Sequence, residues 1–209
     1  MQRNCPPKLK SNIMCEGNGP KRAAGRSFLP METNVIIEEL KARATLDWNP
    51  EQKAYFVKIA EDARPVQCVR MRDVFTPEQM RFLRIHYHAR QKECYRNAAE
   101  FVVLCSWESS VFPEPGVKYV EGFAYSCGLL PIEHAFVKIG EKYIDPTFER
   151  ALHLDIRKEM YASLIELECA EMNRLQAETG FYGELYQYAY LKRFRADLAA
   201  KKRALNPHK

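Results

Sequence analysis

The chain has 209 residues, of which 46% are hydrophobic and 28% are charged, and its formal net charge is +5. These proportions are ordinary for a globular protein. No apolar run is long enough to cross a bilayer, and no hydrophobic segment follows the N-terminus as it does in a secretory signal. The sequence therefore predicts a cytoplasmic protein with no membrane partner.

Seven cysteines are scattered along the chain without Cys-x-x-Cys spacing. An odd number in this arrangement predicts neither a disulfide framework nor a zinc site. It is typical of a reducing compartment, where most thiols are small buried hydrophobic groups. We therefore expect no metal centre.

The two ends of the chain are basic. Residues 1–27 hold six basic residues and one acid, and residues 187–209 hold seven basic residues and one acid. The first stretch is rich in Pro, Gly and Asn and has few large apolar groups, which predicts a disordered basic tail. Residues 28–209 are then predicted to form a single domain. Basic ends are usually solvated, although they also suit contact with nucleic acid.

The segment before residue 92 is predicted to be mainly helical. Apolar spacing predicts a first helix from about residue 33 to residue 45. Residues 53–72 leave two interpretations open, which are two short strands or a helix from Pro50 to Ala63. Thr76-Pro77-Glu78-Gln79 has the pattern of a capping box with Pro in the first turn, and predicts a helix that ends near Arg90.

The stretch from Lys92 to Glu149 carries the candidate chemistry. Cys94 begins an apolar helix predicted to reach about Ser106, with a buried stripe on one face. Residues 117–126 are predicted to form a strand. A second pair of strands, residues 134–139 and 142–145, is predicted to form a hairpin, because a two-residue loop with Gly first suits a type II′ turn.

The register of this hairpin follows from its loop. The predicted pairs are Ile139–Lys142, Val137–Ile144, Phe136–Asp145 and His134–Thr147. Paired residues share a face, so His134, Phe136 and Asp145 point one way, and Ala135, Val137 and Ile144 form core on the other. A one-residue shift would place Asp145 on the wrong face. The hairpin therefore predicts contact between His134 and Asp145.

Three side chains of this stretch suit nucleophilic catalysis. Cys94 lies at a helix N-terminus, where free N–H groups and the helix dipole stabilise a thiolate. His134 is the candidate acid/base, and Asp145 is the candidate group that orients its ring. Each residue alone has a plain structural explanation, as a buried thiol, a strand-edge histidine or a turn aspartate. Together they predict a catalytic triad.

Three further residues are predicted near the triad. The backbone N–H of Cys94 or Tyr95 is placed to face a developing oxyanion, and the Gln91 amide is a second candidate donor. Tyr95 and Phe136 are expected to flank the cleft.

The chain beyond Phe148 is predicted to be helical to its end. One helix is predicted from about Ile156 to Glu178, and a second from about Leu185 to Leu205. Gly180 and Gly183 separate the two.

Several short segments resemble a known family. Cys94-Tyr95, Val120-Glu121-Gly122-Phe123-Ala124, His134-Ala135-Phe136-Val137 and Asp145-Pro146-Thr147 resemble the transglutaminase-like core of the papain-like cysteine superfamily. In that family a cysteine, a histidine and an aspartate, in this chain order, form the triad, which implies Cys94, His134 and Asp145 here. This chain has Tyr and Phe where the family usually has Trp, after the cysteine and after His-Ala. The resemblance implies an α+β fold in which two or three antiparallel strands pack on the cysteine helix, with added N- and C-terminal helices.

The sequence thus predicts thiol-dependent acyl transfer or hydrolysis on an amide of a protein or peptide substrate. The amide is a glutamine side chain or a peptide bond, and the reaction needs no metal or organic cofactor. One alternative is a non-catalytic binding module of the same fold, contacting a protein or nucleic acid through its basic ends. Another is a peptidoglycan amidase or endopeptidase, against which the lack of an export signal argues.

Overall fold

A computed structural model describes residues 34–113, 116–125 and 130–205. The predicted basic tail, residues 1–27, lies outside these described residues. The elements, in chain order, are α1 (Val35–Ala44), α2 (Pro50–Asp62), β1 (Arg64–Val66), α3 (Pro77–His86), α4 (Cys94–Trp107), β2 (Val117–Tyr125), β3 (Ile132–Ile139), β4 (Lys142–Ile144), β5 (Met160–Glu168), α5 (Cys169–Thr179) and α6 (Leu185–Leu205).

The predicted α+β class is confirmed, but the sheet is larger than predicted. Among the described residues, five strands form one antiparallel sheet in the order β1-β5-β2-β3-β4, curled into a half-barrel. The prediction of two or three strands is therefore wrong. The extra strands are β1 at one edge and β5 near the centre.

The prediction of a helix from Ile156 to Glu178 is wrong over its first half. Met160–Glu168 is a strand that pairs with β1 on one side and with β2 on the other. Met, Ala, Leu and Glu favour helices in isolation. Partners at both edges satisfy the backbone groups of this segment, and long-range pairing of this kind overrides a weak local preference. The second half is helical as α5, and α6 agrees with its prediction.

The N-terminal helices agree closely with the sequence pattern. The Asn34 side chain caps α1, and Thr76 with Gln79 forms the predicted capping box of α3. Residues 50–62 are helical, so the helical interpretation is right for them, and only residues 64–66 form a strand. Helix α3 ends at His86, earlier than predicted, because the backbone at Tyr87 is extended.

Helix α4 packs on the sheet through its predicted stripe. Ala98, Phe101, Val102 and Cys105 are all buried in one core cluster. The same cluster holds Ala135, Val137 and Ile144 of the hairpin, as the register predicts. The other face of β3 therefore remains for the side chains of His134 and Phe136.

Gly122 is the point of closest approach between β2 and β5. A Cβ atom there would lie 1.9 Å from the carbonyl oxygen of Ala162, and the register of the two strands shifts between Glu121 and Gly122. Gly122 also lies opposite His134 on β3. Only glycine allows the two backbones to meet beside the histidine.

Within the described residues, none of the helices has both the length and the apolar character that a transmembrane span requires.

Candidate active site

Cys94 is the first residue of α4. The first hydrogen bond of the helix runs from the amide of Asn97 to the Glu93 carbonyl, at 2.8 Å. The amides of Cys94, Tyr95 and Arg96 precede that bond, so the helix itself supplies no acceptor for them. The Glu93 side chain does not cap the helix either. These donors and the helix dipole favour negative charge at the sulfur, and Cys94 as a residue is partly exposed.

Asn97 fixes the chain that leads to the cysteine. Its side chain is buried, accepts from the Arg90 amide at 2.9 Å and donates to the Arg90 carbonyl at 2.7 Å. The same amide nitrogen lies 3.1 Å from the Thr147 hydroxyl. One side chain thus connects α4, the segment before Cys94 and the segment after Asp145.

The hairpin places His134 beside Asp145. Val137 pairs with Ile144 and Ile139 with Lys142, as predicted, and Gly140 has the positive φ of 56° that the turn requires. The His134 Nε2 atom lies 2.7 Å from Asp145 Oδ2, and both side chains are almost fully buried. The predicted contact is confirmed.

The predicted pairing of the hairpin beyond Ile144 is wrong. Strand β4 ends there, and a short helical turn over Thr147–Ala151 begins after Pro146. Asp145 Oδ1 accepts from the amides of Thr147 and Phe148, each at 3.0 Å. A carboxylate that accepts the first amides of a helical turn stabilises that turn, which draws the chain away from the sheet. The other oxygen still faces His134.

Aromatic rings enclose the histidine on the buried side. Phe148 lies 4.4 Å from the His134 ring and Phe136 lies 6.5 Å from it, measured between centroids. The Tyr161 hydroxyl donates to Asp145 Oδ2 at 3.0 Å. Burial, and then the Asp145 charge, raise the pKa of Tyr161 well above its ordinary value, so this hydroxyl remains a donor. The imidazole is therefore held in a dry and fixed environment.

The thiol and the imidazole lie close enough for each to shift the pKa of the other. Burial raises the pKa of Cys94, but the His134 ring and the amides of Ala135 and Tyr95 outweigh it, so the thiol pKa lies below its ordinary value of 9.0. Burial lowers the pKa of His134, but Asp145 and the sulfur outweigh it and raise that pKa to about 10. Both shifts favour a thiolate beside an imidazolium. Because Nε2 faces Asp145, Nδ1 is the ring atom left for the sulfur.

The other predicted site residues lie in different places. Gln91 is exposed, and its amide nitrogen lies 3.4 Å from the Ala151 carbonyl oxygen. Tyr95 is half-buried, and its ring packs on Gly183 so closely that a Cβ there would lie 2.4 Å from the ring. Phe136 has no exposed surface. It therefore lies behind the histidine, inside the core.

A buried carboxylate connects β2 to α6. Glu121 accepts from the amides of Leu185 and Tyr186 at 3.1 and 2.9 Å, at the start of α6. The Tyr119 hydroxyl lies 2.7 Å from the Glu121 carboxylate and 3.1 Å from the Tyr182 carbonyl oxygen. The loop between α5 and α6 is thereby held next to Tyr95.

Sequence reasoning missed Tyr161 and Asn97. The sequence predicts a helix around Tyr161, and only the pairing of β5 into the sheet brings this side chain to Asp145. Asn97 follows Cys94 by three residues, within one helical turn. A polar residue among the apolar positions of a buried helix indicates a side chain with hydrogen-bond partners, and Asn97 fits that pattern in the sequence.

Comparisons with known protein families, with curated proteins and with solved structures find no match to this chain.

Proposed function

We propose that this protein is a transglutaminase-like cysteine hydrolase or acyltransferase of the papain-like class. It attacks an amide, either a glutamine side chain or a peptide bond of a protein or peptide. The observation that carries the proposal is the buried 2.7 Å contact between His134 and Asp145, with Cys94 at a helix N-terminus and close enough to His134 for the two groups to shift each other's pKa. Of these three residues, Cys94 alone is partly exposed.

The first half of the reaction transfers the acyl group to sulfur. The Cys94 thiolate attacks the carbonyl carbon, a C–S bond forms, and the carbonyl oxygen becomes an oxyanion. The intermediate collapses as the C–N bond breaks. His134 gives its proton to the departing nitrogen, which leaves as ammonia or an amine, and a thioester remains on Cys94.

The second half regenerates the thiolate. Neutral His134 takes a proton from water or from an acceptor amine as that group attacks the thioester. The C–S bond breaks, which leaves the Cys94 thiolate beside the His134 imidazolium. With an amine the product is a new amide, and with water it is a carboxylic acid, which loses its proton to solvent. Asp145 keeps the ring oriented throughout, through its contact with Nε2.

Backbone amides are the leading candidates to stabilise the oxyanion. The Tyr95 amide is one of the free N–H groups in the first turn of α4, next to Cys94 in the chain, so it is the first candidate. Gln91 is a second candidate, because a glutamine amide has two N–H groups and one of them remains after the contact with Ala151.

The proposal is tested by comparing two thiols of this chain. Like Cys94, Cys169 is partly exposed and is the first residue of a helix that has no side-chain cap. Unlike Cys94, it has no histidine partner among the described residues, and its sulfur accepts a hydrogen bond from the side-chain amide of Asn173. We expect limiting iodoacetamide at pH 7 to label Cys94 at least about tenfold faster than Cys169, as measured by peptide mass spectrometry. Equal rates would favour the non-catalytic binding module.

The reaction type is determined from the modification found on the substrate. The protein and a Cys94→Ala control are incubated with a cell lysate, with and without an added primary amine, and peptides are compared by mass spectrometry. Deamidated glutamines indicate hydrolysis of the side chain, amine-modified glutamines indicate transamidation, and new chain ends indicate peptide-bond cleavage. The proposal fails if the two samples are identical.

A further inference from the structure

A large open cavity lies beside the N-terminal turn of α4. Its volume is about 520 Å³, and it is lined by Glu93, Tyr95 and Arg96 of α4 and by residues 181–184 of the loop before α6. Cavities that hold ligands or side chains are commonly of this size.

Two large aromatic side chains of this loop are exposed to solvent. Phe181 is 73% exposed and Tyr182 is 48% exposed. Neighbouring exposed aromatic residues at the edge of a cavity mark a contact surface more often than isolated ones do.

The loop that carries these rings is fixed. The Tyr182 carbonyl oxygen accepts from Gln176 at 3.3 Å and lies 3.1 Å from the Tyr119 hydroxyl. Gly183 packs beneath the Tyr95 ring, and the buried Glu121 holds the start of α6. The cavity is therefore formed before any ligand arrives, which lowers the cost of binding.

Three charged residues line the cavity, which are Glu93, Arg96 and Glu184. Arg96 is paired with Glu100 at 2.6 Å and with Glu93 at 3.6 Å, and its guanidinium lies 5.8 Å from the centre of the Tyr182 ring. With the arginine engaged by carboxylates and an aromatic face, the interior presents mainly ring surface. That surface suits an apolar occupant.

Tyr95 connects the cavity to the nucleophile. Cys94 lies between Glu93 and Tyr95 in the first turn of α4, and both of these neighbours line the cavity. A second cavity of about 400 Å³ along α4 shares Tyr182 with the first and extends to Trp107. Two cavities in series provide room for a chain, which favours a polypeptide over a small amide.

We propose that the cavity bounded by Tyr95, Phe181 and Tyr182 is a specificity pocket, which holds a large apolar or aromatic side chain of a polypeptide substrate while an amide of that polypeptide lies over Cys94. This inference rests on the proposed function. It adds the class of substrate, which is a polypeptide that carries a bulky apolar residue close to the attacked group.

The test compares thiol-reactive probes with and without such a side chain. Peptidyl chloromethyl ketones are made with Ala or Phe at each of the two positions before the electrophile, and their second-order rates with Cys94 are measured beside that of iodoacetamide. We expect at least one Phe probe to react about 10- to 100-fold faster than the Ala probe. The preference should fall at least about fivefold in Phe181→Ala and in Tyr182→Ala.

Control variants make the outcome specific. Leu46 is 52% exposed and lies in the connection between α1 and α2, so Leu46→Ala should keep the full preference. The main chain of Phe181 is held by its neighbours and its ring is mostly exposed, so its removal leaves the core intact, which a thermal melt verifies. Rapid iodoacetamide labelling with no Phe preference, or a preference unchanged in both loop variants, overturns the pocket and leaves the proposed function standing. Slow labelling of Cys94 by iodoacetamide overturns the proposed function itself.

Discussion

The Tyr161 hydroxyl donates a 3.0 Å hydrogen bond to Asp145 Oδ2, the same oxygen that lies 2.7 Å from His134 Nε2. The other oxygen of Asp145 accepts two backbone amides. A buried carboxylate is costly unless its oxygens are satisfied, and four donors meet that need here. The tyrosine is thus a positioning residue, which acts on the histidine through the aspartate.

Tyr161→Phe removes this hydroxyl and keeps the ring. We expect the free energy of unfolding to fall by about 1.5–3 kcal/mol, because a hydrogen bond to a buried charged group is lost. Urea denaturation measures the change. Tyr55→Phe, which removes a hydroxyl outside this network, should cost about 0.5 kcal/mol or less. Similar losses in the two variants would contradict the assigned role.

Asp145→Asn removes the charge that orients His134. The Asn side chain can still accept the two backbone amides through its oxygen, but it then presents N–H groups to Nε2. That contact favours the tautomer with a proton on Nδ1, which cannot accept a proton from the thiol. We expect turnover of an amide substrate to fall by about 10³- to 10⁴-fold. Asp155→Asn, at a partly exposed ion pair with Arg157, should retain activity.

The pH dependence of Cys94 labelling follows from the pKa shifts of Cys94 and His134. The thiol pKa is lowered by His134, so the labelling rate should rise with pH through a midpoint below 9.0, and the thiolate persists above that midpoint. In His134→Ala the imidazolium is gone while burial, which raises the thiol pKa, remains. The midpoint should then move upward, and the rate at pH 7 should fall at least about tenfold. Iodoacetamide rates from pH 5 to pH 10 measure both profiles, and coincident curves would rule out the pair.

Two glycines of the sheet should respond very differently to alanine. Gly122→Ala places a methyl group 1.9 Å from a backbone oxygen of β5, so the two central strands must separate. We expect a loss of at least about 3 kcal/mol in the free energy of unfolding. In Gly140→Ala the added methyl group contacts no other atom, and only the positive φ of this residue is unfavourable. We expect the free energy of unfolding to fall by about 1–2 kcal/mol. A reversed order would mean that β2 and β5 are wrongly paired.

Local patterns were sufficient to predict the helices around the site and the hairpin within it. The caps of α1 and α3, the start of α4 at Cys94 and the register of β3 on β4 each depend on residues close together in the chain. A side-chain period of two and a two-residue loop leave one register that keeps Val137 and Ile144 in the core. The contact between His134 and Asp145 could be predicted for the same reason.

Long-range pairing decided the rest. Met160–Glu168 has the composition of a helix, yet it forms a central strand because β1 and β2 are both available to pair with it. That choice brings Tyr161 to Asp145, and the loop at residues 181–184 reaches Tyr95 only because Glu121 holds the start of α6. Hydrogen bonds between strands, and caps supplied from 60 or more residues away, leave little trace in a local sequence window, since their energy depends on where the rest of the chain has packed.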